Sequence, residues 1–353
     1  MMKVGLVGLP NVGKSSFFNL LTKANAKVDL YPFTTIDKNV GVVIVPDERL
    51  KEIGNILKPE KLTPATIEFI DIAGLVKGAS KGEGLGNRFL GNIRETDLIL
   101  HILRNFEDGS IPHVYNDVDA IRDLEIVESE LAIADLDIIK KTLETLRKKV
   151  HTPEDRHRLA VLERLETDLS KGIFSAKIEH LDRLIIRDLN LFAVKPIIYA
   201  LNCSDKIPTD TTSLAQLQNK NKFLFSASLE QSLEGFEDSE KIEMRQSLGL
   251  AQEGITGIVE ECFKKLDLIR FYTIKGEENR AWAIPRGTHI VDAAGKIHTD
   301  MAAGFIKAEV IQFSELQKIG DYHKAKELGH VLVEGKNYIV KDGDIILIKF
   351  STH

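Results

Sequence analysis

Cysteine is scarce here: Cys203 and Cys262 are the only two in 353 residues. Two thiols cannot build a disulfide framework, so the expected compartment is the cytoplasm. No run of about 18 apolar residues occurs, which is what a membrane-spanning helix needs, and no membrane partner is expected. A cleavable leader is not expected either. Met1-Met2-Lys3 passes straight into the apolar stretch 4–7, without a long apolar region or a small-residue cleavage site. There is no excess of basic residues. The net charge of −6 argues against indiscriminate nucleic-acid binding by the whole surface, though not against a local basic patch. Low hydrophobicity is also missing: 43% hydrophobic and 28% charged residues exclude a disordered chain.

The length suggests two or three domains at about 150 residues each. From 1 to about 125, short apolar stretches at 4–7, 40–45, 67–70 and 98–103 read as buried strands. Helical patterns at 15–21 and 47–57 lie between some of them, and that alternation predicts a largely parallel α/β sheet. From 126 to 195 the pattern is helical. Leu131, Ala134, Ile138, Leu143 and Leu146 form one apolar stripe, and Leu159, Leu162, Leu165 and Leu169 a second. Pro153, Glu154 and Asp155 between them suit a helix start, and Gly172 a helix end. Two charged helices about a turn predict an inserted helical hairpin. The α/β pattern resumes at 196–267, with strands at 197–201 and 223–225 and a last helix from about 255 to 266. A strand-rich region with one or two helices follows at 268–353.

The strongest motif is Gly8-Leu9-Pro10-Asn11-Val12-Gly13-Lys14-Ser15, a complete G-x-x-x-x-G-K-S loop between a strand and a helix. Glycines let the backbone wrap closely, so that the N–H groups of Asn11, Val12, Gly13, Lys14, Ser15 and Ser16 face phosphate oxygens. Lys14 reaches the β- and γ-phosphates, and the Ser15 hydroxyl meets Mg²⁺. Asp71-Ile72-Ala73-Gly74 follows the strand 67–70. Asp71 suits the Mg²⁺ shell through water, and Gly74 permits close backbone approach to the γ-phosphate. Phe33-Thr34-Thr35 lies between the two motifs, and either threonine fits a switch that meets Mg²⁺ when the γ-phosphate is present. Asn202-Cys203-Ser204-Asp205 ends the strand 197–201, where guanine-specific relatives carry N-K-x-D. Cys203 cannot supply the lysine stem, while Asp205 keeps the carboxylate. Ser226 belongs to the remaining base-facing loop.

Taken together these segments resemble the Obg-related P-loop proteins, and specifically the YchF family. The match includes the loop at 5–16, Tyr31-Pro32-Phe33-Thr34-Thr35-Ile36, and the long run from Asp71 to Asn87. Near the end it includes Ala281-Trp282-Ala283-Ile284-Pro285, 294–300 and 338–344. The resemblance spans the whole chain. It implies a Ras-like P-loop NTPase domain at 1–125 and 196–267, a coiled-coil hairpin at 126–195, and a β-grasp TGS domain at 268–353. It implies a cytoplasmic monomer that hydrolyses ATP and associates with ribosomes. Ser15 and Thr35 would be the Mg²⁺ ligands, and Asn202 and Cys203 would meet the adenine. The chain departs from the family's usual N-x-x-E by carrying Asp205, which keeps a GTPase of the same architecture as the alternative.

Ras-like enzymes orient the attacking water with a glutamine just after D-x-x-G. Leu75 stands there and cannot bond water. Either intrinsic hydrolysis is very slow, which would make the chain a nucleotide-dependent regulator, or another polar group serves. The resemblance points to His113; the plain alternative is a surface-loop histidine. His101, inside an apolar strand, reads as a satisfied buried histidine. Between 140 and 164 stand eight Lys and Arg against four acids. That local excess suits a phosphate backbone, and ribosomal RNA is the implied partner; a solvated charged face is the alternative.

Overall fold

The computed structural model describes residues 2–26, 39–72, 85–148, 152–174, 178–206, 217 and 222–351. Its strands are β1 (Met2–Val7), β2 (Val40–Ile44), β3 (Lys61–Thr63), β4 (Thr66–Asp71), β5 (Leu98–Asn105), β6 (Ile197–Cys203), β7 (Lys222–Phe225), β8 (Leu268–Lys275), β9 (Glu278–Pro285), β10 (Phe305–Gln312), β11 (Leu332–Glu334) and β12 (Asp344–Phe350). The helices are α1 (Lys14–Ala26), α2 (Glu48–Leu57), α3 (Leu85–Arg94), α4 (Ala120–Leu146), α5 (Pro153–Ser170), α6 (His180–Ile186), α7 (Ala227–Ser232), α8 (Asp238–Ser247), α9 (Gly257–Lys265), α10 (Ile290–Ile297), α11 (Thr299–Ala303), α12 (Phe313–Ile319) and α13 (Tyr322–Glu327).

Described residues up to Val42 and from Glu68 to Ile258 form one compact unit; Val43–Ile67 and those from Val259 onward form a second. The first sheet has the order β2-β4-β1-β5-β6-β7. β1 pairs with β5, β5 with β6 and β6 with β7, all in parallel. Parallel strands covered on both faces must be apolar throughout. β6 is buried at all seven positions, and Val4, Leu6 and Val7 of β1 are wholly inaccessible.

The helical insertion folds as its pattern predicts. Thr152 caps α5 in a capping box with Asp155, and Pro153 takes the first turn. Ile139 and Leu143 of α4 pack on Leu162, Leu165 and Leu169 of α5, and Ile186 of α6 joins them in one apolar cluster. The base of the hairpin is held by a buried ion pair. Asp135 accepts from Arg94 at 2.9 Å and from the Ala193 N–H at 2.8 Å.

The second unit carries the sheet β11-β10-β12-β8-β9-β3. It has four short helices after β9, where the sequence predicts one or two. It also takes in residues 43–67, which the sequence places with the nucleotide domain. The physical reason is pairing. β3 runs parallel to β9, from Lys61 opposite Glu278 to Thr63 opposite Arg280. α2 buries Leu50 and Ile53 in the same unit, and each such side chain stabilises the packing by about 1.5–3 kcal/mol.

Candidate active site

The loop after β1 and the ends of β5, β6 and β7 meet at one edge of the first sheet, the C-terminal edge at which open α/β sheets bind ligands. Gly8 and Gly13 are dictated by close approach. A Cβ on Gly8 would lie 2.4 Å from the Ile102 carbonyl oxygen, and one on Gly13 would lie 2.3 Å from Asn202 Nδ2. Gly13 also has φ of +97°, a conformation that glycine adopts without penalty. Asn11 turns the loop at φ +60° and donates its Nδ2 to the Pro112 carbonyl at 3.1 Å. Val12 is buried, and Ser16 lines the adjoining cavity.

Lys14 is 7% exposed. Its ammonium donates to the Gly8 carbonyl at 3.0 Å and to the Leu9 carbonyl at 2.7 Å. Burial pushes it down to about 8 from its ordinary 10.5, against the pull of the Asp71 carboxylate. Ser15 Oγ donates to Asp71 Oδ2 at 3.0 Å. A hydroxyl and a carboxylate in contact at a helix N-terminus are the hard oxygens that Mg²⁺ takes alongside substrate phosphates, so this donor set fits that ion. Thr35 and Gly74 lie outside the described residues, as does Leu75.

A cavity of about 400 Å³ opens next to this cluster. Of the expected residues it is lined by Asn11, Gly13, Ser16, Asn202, Cys203 and Asp205. Asn202 spends its amide on the protein: Nδ2 donates to the Val12 carbonyl at 3.1 Å, and Oδ1 accepts from the Ala227 N–H at 3.0 Å. That geometry braces the loop after β1 against the turn after β7, while Asn202 also lines the cavity. Cys203 is 2% exposed, and its Sγ contacts the Leu201 carbonyl and the Asn105 amide. Asp205 is exposed on the cavity wall. Ser226 is wholly buried and accepts from the Leu229 N–H, capping α7.

His113 is neither the exposed loop histidine nor one with a spare nitrogen. It is 9% exposed. Nδ1 accepts from the Tyr115 N–H at 3.2 Å, which leaves Nε2 to donate to Asp123 at 2.9 Å. Asp123 is held in turn by Arg122, which is bidentate on Asp117. His113 does not line the cavity, although its neighbour Pro112 touches Asn11. His101 is buried against the ring of Tyr199, centroids 5.9 Å apart. One wall was missed by motif reading: Phe106, Glu107, Asp108 and Ile111, in the loop after β5, also line the cavity. The available signal was Arg104, a charge near the end of a largely apolar strand.

Residues 3–154 match the family model MMR_HSR1, described as "50S ribosome-binding GTPase". Residues 268–351 match YchF-GTPase_C, described as "Protein of unknown function (DUF933)". An Escherichia coli O157:H7 protein named ribosome-binding ATPase YchF is 41% identical over 359 residues, covering 99% of each chain. Its Bacillus subtilis (strain 168) namesake is 37% identical over 363 residues, again covering 99% of each. The solved structure of the Schizosaccharomyces pombe YchF GTPase superposes with a TM-score of 0.84 at 34% identity. It covers 99% of this chain and 97% of its own.

Proposed function

The chain belongs to the YchF family, and from that premise we propose that it hydrolyses ATP to ADP and phosphate in the cavity beside the 8–15 loop, as a switch that associates with the ribosome. The observation that carries this reading is the cluster of Lys14, Ser15 and Asp71 beside a nucleotide-sized cavity. Lys14 exchanges its two loop carbonyls for β- and γ-phosphate oxygens. Ser15 and Asp71 would hold Mg²⁺, with Thr35 as a further proposed ligand and Gly74 as the backbone that would admit the γ-phosphate. The ion supplies neutralisation of charge developing on the phosphates.

Cys203 and Asp205 pull the base preference in opposite directions. A buried cysteine cannot sandwich a guanine as a lysine stem does, which supports ATP. The Asp205 carboxylate on the cavity wall supports GTP as the second reading, and the fission-yeast relative is named a GTPase. A titration of the purified protein with ATP, GTP and their diphosphates decides between them; tighter GTP than ATP binding rejects the first.

His113 is the candidate for orienting the attacking water. One of its two bonds, to Asp123 or to Tyr115, has to break before it can do so, which favours hydrolysis that is slow until a partner opens this turn. Single-turnover phosphate release with and without ribosomes tests that form of the proposal. The basic hairpin is assigned to ribosomal RNA, the region 268–353 to a TGS domain, and the protein to the cytoplasm as a monomer. Among the described residues no helix is long and apolar enough to cross a membrane.

A further inference from the structure

Arg104 is one of the largest fully buried side chains, at 1% exposure, and has no carboxylate within ion-pair distance among the described residues. A buried cation must find other compensation. Here it is the backbone of the next loop. Nε donates to the Phe106 carbonyl at 3.1 Å, Nη1 to that of Ile111 at 3.1 Å and Nη2 to that of Asp108 at 3.2 Å. The guanidinium also lies over the Phe106 ring, 4.6 Å from its centroid. The planar fork of arginine holds several acceptors in one fixed arrangement, which lysine's single nitrogen cannot reproduce. The residues so held, Phe106, Asp108 and Ile111, are cavity-lining residues. In the parallel register Arg104 stands opposite Asn202, so its loop rises directly beside the base motif.

We infer that Arg104 is a positioning residue for the nucleoside half of the substrate. It shapes the 106–111 wall before the nucleotide arrives and touches no part of the nucleotide itself. This rests on the reading that the cavity takes ATP. The phosphate half is held by other groups, Lys14, Ser15 and the 8–13 backbone, so the two halves are separable. Pre-forming the wall lowers the ordering cost of binding, and losing Arg104 returns that cost to every encounter with a nucleoside.

The test is calorimetric titration of the full-length protein with Mg·ATP and with Mg·tripolyphosphate, a probe that has no nucleoside. Arg104→Met is expected to bind ATP about tenfold or more weakly, the equivalent of one charge-assisted hydrogen bond, while its tripolyphosphate affinity stays native. Arg104→Lys should show the same split with a smaller loss, and it carries the test if the methionine variant does not fold. Native ATP affinity in a folded variant overturns the proposal. So does an equal loss for both probes, which is what a general structural defect produces. If neither variant folds, Arg104 is a folding residue and the proposal is likewise overturned. Failure of the underlying reading is visible separately, as ATP affinity in Lys14→Ala equal to that of the native protein.

Discussion

At the scale of single residues, Lys14 and His113 carry the sharpest expectations. Among the described residues, the hydrogen bonds of the Lys14 ammonium go to two loop carbonyls, those of Gly8 and Leu9. Lys14→Ala should therefore abolish hydrolysis and weaken triphosphate binding with little change in thermal midpoint; unchanged turnover would show that the phosphates lie elsewhere. His113 has two jobs to separate. Its buried bond to Asp123 predicts that His113→Ala lowers stability by about 1–3 kcal/mol, because Asp123 Oδ2 loses its buried partner while Arg122 keeps only Oδ1. Its proposed catalytic part predicts in addition a loss of roughly 10²-fold in single-turnover rate at unchanged ATP affinity. A fall in thermal midpoint with a native rate would leave His113 with the structural job alone. Spacing offered no way to see the first job, because Asp123 lies on the next helix and only the turn at 113–116 brings the two together.

Among the elements, the hairpin is where net charge and usable charge differ. Sequence counting gives its tip a basic excess, yet several of those cations are already committed. Arg147 pairs with Glu163, Arg164 with Asp182, and Arg158 with Asp188 and the Ile185 carbonyl. Lys140, Lys141, Lys148 and Arg156 are exposed, and among the described residues none of the four enters an ion pair. Reversing these four to glutamate should weaken co-sedimentation with ribosomes and leave ATP affinity alone. The slope of log affinity against log salt should become shallower, by about 0.7–0.9 for each phosphate that is no longer neutralised. An unchanged complex would make the tip a solvated face. Arg158 is best excluded from the variant, since its loss would disturb the packing of α6 on α5.

For the molecule as a whole, the second unit is not a contiguous stretch of chain. Residues 43–67 supply its β3 edge and the α2 helix. Arg49 is bidentate on Asp342, at 2.8 and 3.2 Å, and Asp47 both caps α2 and accepts from the buried Tyr272 hydroxyl at 2.9 Å. That phenol is pushed above its ordinary range by burial first and by Asp47 second. A fragment of residues 268–353 alone would expose the surfaces that α2 and β3 cover and leave Asp342 without Arg49. It should show a broad, weak unfolding transition by circular dichroism, sharpened by adding a peptide of residues 43–67. A fully cooperative fragment, indifferent to the peptide, would mean that the added segment is decoration.

Much of this was legible from one dimension. A G-x-x-x-x-G-K-S loop between a strand and a helix, Asp71 at a strand end, and a capping box at Thr152 are local patterns. Their physics acts over a few residues, and the chain spells them out in order. Ser15 meeting Asp71, and Asn202 meeting the loop after β1, complete those patterns across the sheet. The rest depends on contacts between residues far apart in sequence. β3 is three residues long and half exposed, too short for any periodicity, and becomes a strand only because β9 lies beside it. Arg104 reads as an oddity in an apolar strand until three backbone carbonyls close around it. The order of residues along the chain determined the α/β class and the phosphate loop; the folded packing decided where residues 43–67 belong, which cations stay free, and which groups shape the cavity. Burial and hydrogen-bond geometry are properties of the assembled neighbourhood and not of a residue's position in the chain.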